Sequence, residues 1–193
     1  MNCDIRLATP DDIGDIVAIG RSTFAKAYGD IVLTSDMESY LAKFFDPELL
    51  QSEITSRSAS YFVAESEQGV VGYAKLAETE RPDQLADEKV AELIRLYVSP
   101  GHYGMGIGSG LLKAVKLQAL AAGFKGVWLR VWEKNSGAIR LYERDGFKRL
   151  GIEPYFIGIT ANPVVLMFEE LTIGEGSLLI QGKGGEGGDA GGD

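Results

Sequence analysis

A mixed α/β fold, with one mostly antiparallel sheet flanked by helices, is predicted from three observations. Runs of β-branched and aromatic residues recur along the chain, two of them lie as a hairpin in the first half, and later ones alternate with helical segments. At 193 residues the chain has the size of one ordinary domain with one core.

The opening "IRLATPDDIGDIVAIG" reads as a short strand, then a helix begun by Thr9 as N-cap, with Pro10 at the first helical position and Asp12 three residues after the cap. Ile13, Ile16, Val17 and Gly20 follow at helical spacing. A second helical region runs from about Thr34 to Ser56 and is interrupted at Asp46 and Pro47, because proline disfavours helix in the residue before it. "SYFVAES" and "GVVGYAKLAE" flank Glu67, Gln68 and Gly69 as a hairpin, and "RPDQLADE" is a polar loop.

"KVAELIRLYV" is the next strand. A glycine loop leads from it into a helix from about Gly106 to Ala122. On this helix Ser109, Lys113 and Lys116 form a narrow polar stripe, while Ile107, Leu111, Leu112, Ala114, Val115 and Leu117 cover most of the rest, which predicts a largely buried element. "GVWLRVW" is a strand, Asn135 to Asp145 a helix closed by Gly146, and "PVVLMFEEL" a final strand. Nine of the last twenty residues are glycine, so residues 174–193 read as a disordered tail after a domain spanning 1–173.

Composition bounds the function. A formal net charge of −9 argues against nucleic acid, whose binding needs basic groups to neutralise phosphates, and agrees with a cationic partner. No apolar run has the roughly 20 residues of a membrane span. The start of the chain lacks the pattern of a secretory signal, and Cys3 is the sole cysteine, so the expected home is a reducing cytoplasm.

The stretch "YVSPGHYGMGIGSGLL" places three spaced glycines between a strand end and a helix start, where bare amides and the helix dipole favour an anion. A dinucleotide fingerprint fails at its third glycine, since Ser109 or Leu111 stands there. A Walker A loop would need Gly-Lys-Ser or Gly-Lys-Thr, which is absent.

The same stretch resembles the acetyl-CoA loop of the GNAT superfamily of N-acetyltransferases: Gln or Arg, two residues, Gly, one residue, Gly or Ala. The pattern falls on Tyr103, Gly104, Met105, Gly106, Ile107 and Gly108, and Tyr103 departs from it. "WEKNSGAIRLYERDGF" resembles a second family signature, matching at Asn135, Ala138, Tyr142, Gly146 and Phe147. The resemblance spans about residues 5 to 171. Within the family, "TFAKAY", "YLAKFF" and "WLRVWEKN" look most like the bacterial spermidine/spermine acetyltransferases.

The resemblance implies a GNAT fold splayed near the strand ending at Val98, and direct transfer of acetyl from acetyl-CoA to an amine without a metal. Leu96 and Val98 would hold the pantetheine arm through their main chain, with an N–H of Leu96 or Tyr97 facing the thioester oxygen. Gly104 to Ser109 would cradle the pyrophosphate, and Asn135 would cap its helix or bond the arm.

Tyr142 is the expected general acid, because a phenol with pKa near 10 matches a departing thiolate; as a plain helix residue it would equally be a core aromatic. Glu92 is the candidate base, through a water relay or a raised pKa; otherwise it is a solvated carboxylate or a partner of Arg95. Cys3 and His102, far apart in sequence, read as structural. Lys113 and Lys116 would reach the CoA phosphates or face solvent. Phe24, Tyr28, Tyr40 and Phe44 beside Asp30, Asp36 and Glu38 suit either a polyamine pocket or the core.

The expected function is therefore acetyl-CoA-dependent acetylation of a small-molecule primary amine, with a polyamine leading and a homodimer compatible. The alternatives are a protein N-terminal or antibiotic acetyltransferase, or a silent acetyl-CoA sensor.

Overall fold

The structure, a computed structural model, describes residues 3–86 and 88–172. The segment 174–193, expected to be a disordered tail, lies outside the described residues. Seven strands form one sheet: β1 (Asp4–Leu7), β2 (Ala59–Ser66), β3 (Gly69–Ala77), β4 (Val90–Val98), β5 (Gly126–Trp132), β6 (Lys148–Ile157) and β7 (Thr160–Glu170), in the order β1-β2-β3-β4-β5-β7-β6. Every pairing is antiparallel except β4 with β5. The predicted mixed, mostly antiparallel sheet is borne out.

The helices follow their sequence signals. α1 (Ile13–Tyr28) is entered through a 3-10 turn at Pro10–Asp12, where Asp12 Oδ2 accepts from the Thr9 amide at 2.8 Å. The second helical region divides at the expected place into α2 (Thr34–Phe44) and α3 (Pro47–Ser56). Asp46 caps α3 by accepting from the Glu48 amide at 3.1 Å.

α4 (Ile107–Ala121) buries Ile107, Leu111, Leu112 and Val115 against one face of the sheet, but Leu117 is 55% exposed and does not belong to the covered face expected of it. α5 (Ser136–Arg144) packs on the same side. The opposite face carries α1 and α3 around Ile16, Leu50 and Tyr73, and an aromatic cluster of α1 and α2 around Phe24 and Phe45.

β6 was not expected as a strand. It is an outermost strand carrying Gly151 and Pro154, and most of its residues stay at least partly exposed. An edge strand needs neither a continuous apolar run nor every amide, so it leaves little pattern in a sequence.

Two irregularities shape the middle of the sheet. β4 and β5 pair only from Val90–Glu92 to Gly126–Trp128, after which β5 continues with β7 and β4 with β3. The sheet thus splays along the stretch that ends at Val98. In addition, the β3–β4 register shifts at Lys75/Leu76 and skips Ile94. This bulge resets the alternation: Leu93, Leu96 and Val98 face α4, whereas Arg95 and Tyr97 face α1 and α2.

Candidate active site

The loop that leaves β4 turns on Gly104 and Gly106, at φ 77° and φ 80°. A Cβ built at either position would meet nothing within 4 Å, so the left-handed backbone, not crowding, requires glycine there, and the space beside them is open. The Gly110 amide bonds the Gly106 carbonyl at 3.0 Å. The amides of Ile107, Gly108 and Ser109 precede that bond and have no carbonyl of the helix to reach, which is the arrangement an anion occupies. Gly108 has a different reason: its Cβ would stand 3.0 Å from Leu141 Cδ2 and 3.7 Å from Leu96 Cδ2, so it lets α4 approach α5 and β4. Tyr103 and Met105 project outward, 60% and 51% exposed.

Beside this loop, Leu96, Tyr97 and Val98 pair on one edge with Ala74, Tyr73 and Gly72 of β3. Their other edge borders the splay, where β5 no longer pairs with β4 and an extended chain can add as a strand would. Across the opening stands α5. Asn135 caps it, its Oδ1 accepting from the Ala138 amide at 3.1 Å. Tyr142 is 7% exposed, with its ring edge-on to Phe147 at 5.7 Å. Burial first, and then the nearby Tyr97, push its phenol well above the ordinary tyrosine range, so it keeps its proton at neutral pH. Among the described residues its hydroxyl has no hydrogen-bond partner.

The acetyltransferase (GNAT) family model matches residues 26–147. The chain belongs to the GNAT family. It is 28% identical to an uncharacterized N-acetyltransferase of Mycobacterium bovis over 160 residues, 83% of this chain and 98% of that one. It is 26% identical to an uncharacterized N-acetyltransferase of Lactobacillus delbrueckii subsp. lactis, covering 76% of this chain and 85% of that one. The PaiA N-acetyltransferase of Thermoplasma acidophilum, solved in complex with coenzyme A, superposes with a TM-score of 0.71 over 89% of this chain and all of that one. At 22% identity that likeness is one of fold.

In this GNAT chain Glu92 lies at the last rung where β4 and β5 pair, on the face opposite Leu96 because of the Ile94 bulge. Its carboxylate accepts from Thr79 Oγ1 at 2.7 Å and Arg130 Nη1 at 3.0 Å. Burial raises its pKa, and the Thr79 and Arg130 hydrogen bonds oppose the rise. Arg130 also donates to Glu153, and these groups line a cleft of about 510 Å³ with Glu80, Arg81 and Asp83.

Arg95 is therefore not the partner of Glu92. It is 6% exposed, stacks its guanidinium 4.3 Å over Phe45, and makes no ion pair with a described residue. Arg130, Thr79 and Glu153 escaped the sequence reading. The available signal was Arg130 itself, a single charge inside the apolar run "GVWLRVW".

One further expectation changes, and one open alternative is decided. Lys116 neither reaches toward the loop nor faces solvent, since it is ion-paired to Asp145 and Glu169; Lys113 is the solvent-facing one. The α1–α2 aromatics pack on one another, with Phe24 stacked on Tyr40 at 4.3 Å and Tyr28 tilted on Trp132 at 5.5 Å, so Phe24 is core. Asp36 accepts from the Ile159 amide at 3.2 Å and ties the β6–β7 turn to α2.

Proposed function

We propose that this GNAT chain transfers acetyl from acetyl-CoA to a primary amine of a small molecule, and that the acceptor is a polyamine of the spermidine type. The observation that carries the reading is the open edge of β4 between an anion cradle at Gly104–Ser109 and a buried phenol at Tyr142. The residues fit the cofactor: the loop offers unpaired amides in open space for a pyrophosphate, and Leu96 to Val98 offer main-chain groups to an extended arm.

Bound acetyl-CoA supplies the thioester whose acetyl group the amine takes directly. An N–H of Leu96 or Tyr97 on the open edge is the donor aimed at oxygen charge that develops during transfer, a contribution of about 3 kcal/mol. Tyr142 holds a proton at Oη for the departing sulfur. Glu92 receives the ammonium proton through water, because Thr79 and Arg130 already engage both of its oxygens. Asn135 keeps α5 capped and so keeps Tyr142 at the splay.

The polyamine acceptor is supported by the acidic character of the Glu92 cleft, where Glu80, Asp83, Glu92 and Glu153 outnumber Arg81 and Arg130, and by the net charge of −9. A cytoplasmic setting is supported by the single cysteine, and a homodimer by exposed Ile152 and Phe156 on the edge strand β6. The second reading, a silent acetyl-CoA sensor, is favoured by Tyr103, where the family loop carries Gln or Arg.

Release of free thiol from acetyl-CoA, measured with spermidine, putrescine, aminoglycosides and peptides, tests these readings. Turnover restricted to spermidine and its kin supports the proposal. Turnover restricted to peptides or aminoglycosides overturns the polyamine, and CoA binding without turnover on any amine favours the sensor.

A further inference from the structure

Lys116 of α4 is a half-buried ammonium surrounded by four oxygens. Its Nζ donates to the Asp145 carbonyl at 2.7 Å and to Glu169 Oε1 at 2.9 Å. Asp145 Oδ2 and Glu169 Oε2 lie within 2.7 and 2.6 Å as charge contacts, although neither oxygen receives a well-directed hydrogen bond. An ammonium has three N–H groups for these four acceptors, so part of the cluster is held by charge and not by directed hydrogen bonds. The Phe147 ring closes it from one side, 5.5 Å from Nζ.

Such a cluster adds little stability over apolar residues of the same volume, because two carboxylates and an ammonium must be taken from water. What it adds is a defined geometry between α4, the end of α5 and β7. α5 meets α4 at two points: Leu141 Cδ2 packs on Gly108 in the first turn of α4, and Asp145 is held by Lys116 further along. Tyr142 lies between those points. Its carbonyl accepts from the amides of Asp145 at 3.1 Å and Phe147 at 3.0 Å, and its ring contacts Phe147. The clamp and the tyrosine therefore share the same turn of backbone.

We infer that Lys116 is a positioning residue, which fixes α5 on α4 and so sets where the Tyr142 hydroxyl stands relative to the anion-binding start of that same helix. The inference rests on the reading of Tyr142 as acid and of the loop as the pyrophosphate cradle. One helix then holds the cofactor at its first turn and the acid-bearing helix farther on, so the distance between cofactor and acid does not depend on the loop between β4 and α4.

The test uses Lys116→Met, Lys116→Arg, Tyr142→Phe and the double variant Lys116→Met/Tyr142→Phe. In Lys116→Met, hydrogen exchange across residues 136–147 should accelerate about tenfold, while added CoA still slows exchange at residues 104–112 and its calorimetric Kd stays within about twofold. Lys116→Arg should restore slow exchange. Unchanged exchange over residues 136–147 in Lys116→Met would overturn the clamp.

With the amine of the panel that turns over fastest, kcat should fall about tenfold in Lys116→Met with KM for acetyl-CoA unchanged. The double variant should be no slower than Tyr142→Phe. Fully additive losses would overturn the positioning role. A wild-type rate in Tyr142→Phe alone would sink the acid reading instead, a separate failure, because the exchange measurement needs no turnover.

Discussion

Arg130 Nη1 donates to Glu92 Oε1 at 3.0 Å, just beyond the last rung that joins β4 to β5. The closed end of the splay therefore holds a carboxylate whose charge is opposed by burial and supported by one guanidinium and one hydroxyl. Because burial is the larger effect, the folded pKa of Glu92 lies above its ordinary 4.5. The stability this carboxyl contributes is complete below the ordinary value and is lost as pH rises through the raised one.

Glu92→Gln should accordingly gain in relative melting temperature as pH rises from about 4 to about 7, a trend that thermal melts across that range would check. On the proposed mechanism the acidic limb of the kcat/KM profile lies above 4.5 in the wild type and shifts in the variant. A limb that stays in place in Glu92→Gln removes Glu92 as base.

Tyr142→Phe should lower kcat by about 10²-fold with little change in KM for acetyl-CoA. Its raised phenol keeps the stabilising proton below the ordinary tyrosine value and loses it only as pH passes the higher folded value. No alkaline loss of rate should therefore trace to Tyr142 below about pH 10. Steady-state rates over that range decide this.

Gly106→Ala should cost about 1 kcal/mol of stability, from backbone strain alone, because φ 80° disfavours an L side chain while the space around it is empty. The melting temperature should drop by about 3 °C. If the loop is the pyrophosphate cradle, calorimetry should also show CoA binding weakened about tenfold.

Tyr103→Arg should tighten CoA binding by about threefold at low salt and lose that gain as salt is raised. At 60% exposure the tyrosine gives up little packing on replacement. Equal affinity at every salt concentration would separate this position from the phosphates.

The loop and α5 were legible in the sequence because each is local: a strand, a turn and a helix follow one another, and glycines at φ 77° and φ 80° have no common substitute. Asn135 announced its helix for the same reason, as a cap bonded only three residues ahead. The partners of Glu92 were not legible. Arg130 stands 38 residues away, and the residue nearest in sequence, Arg95, although on the same face of β4, lays its guanidinium over Phe45 instead. Lys116 was misread because a stripe on a helical wheel shows which residues share a face but not what that face meets, here Asp145 and Glu169.

Backbone conformation and period are set within a few residues, so the nucleotide-type loop, most of the strands, the capped helices and the family they point to could be read from the chain alone. The edge position of β6, the Glu92–Arg130 pairing and the Lys116 clamp join segments distant in sequence. They arise from register, bulge and burial, which exist only once the sheet has formed.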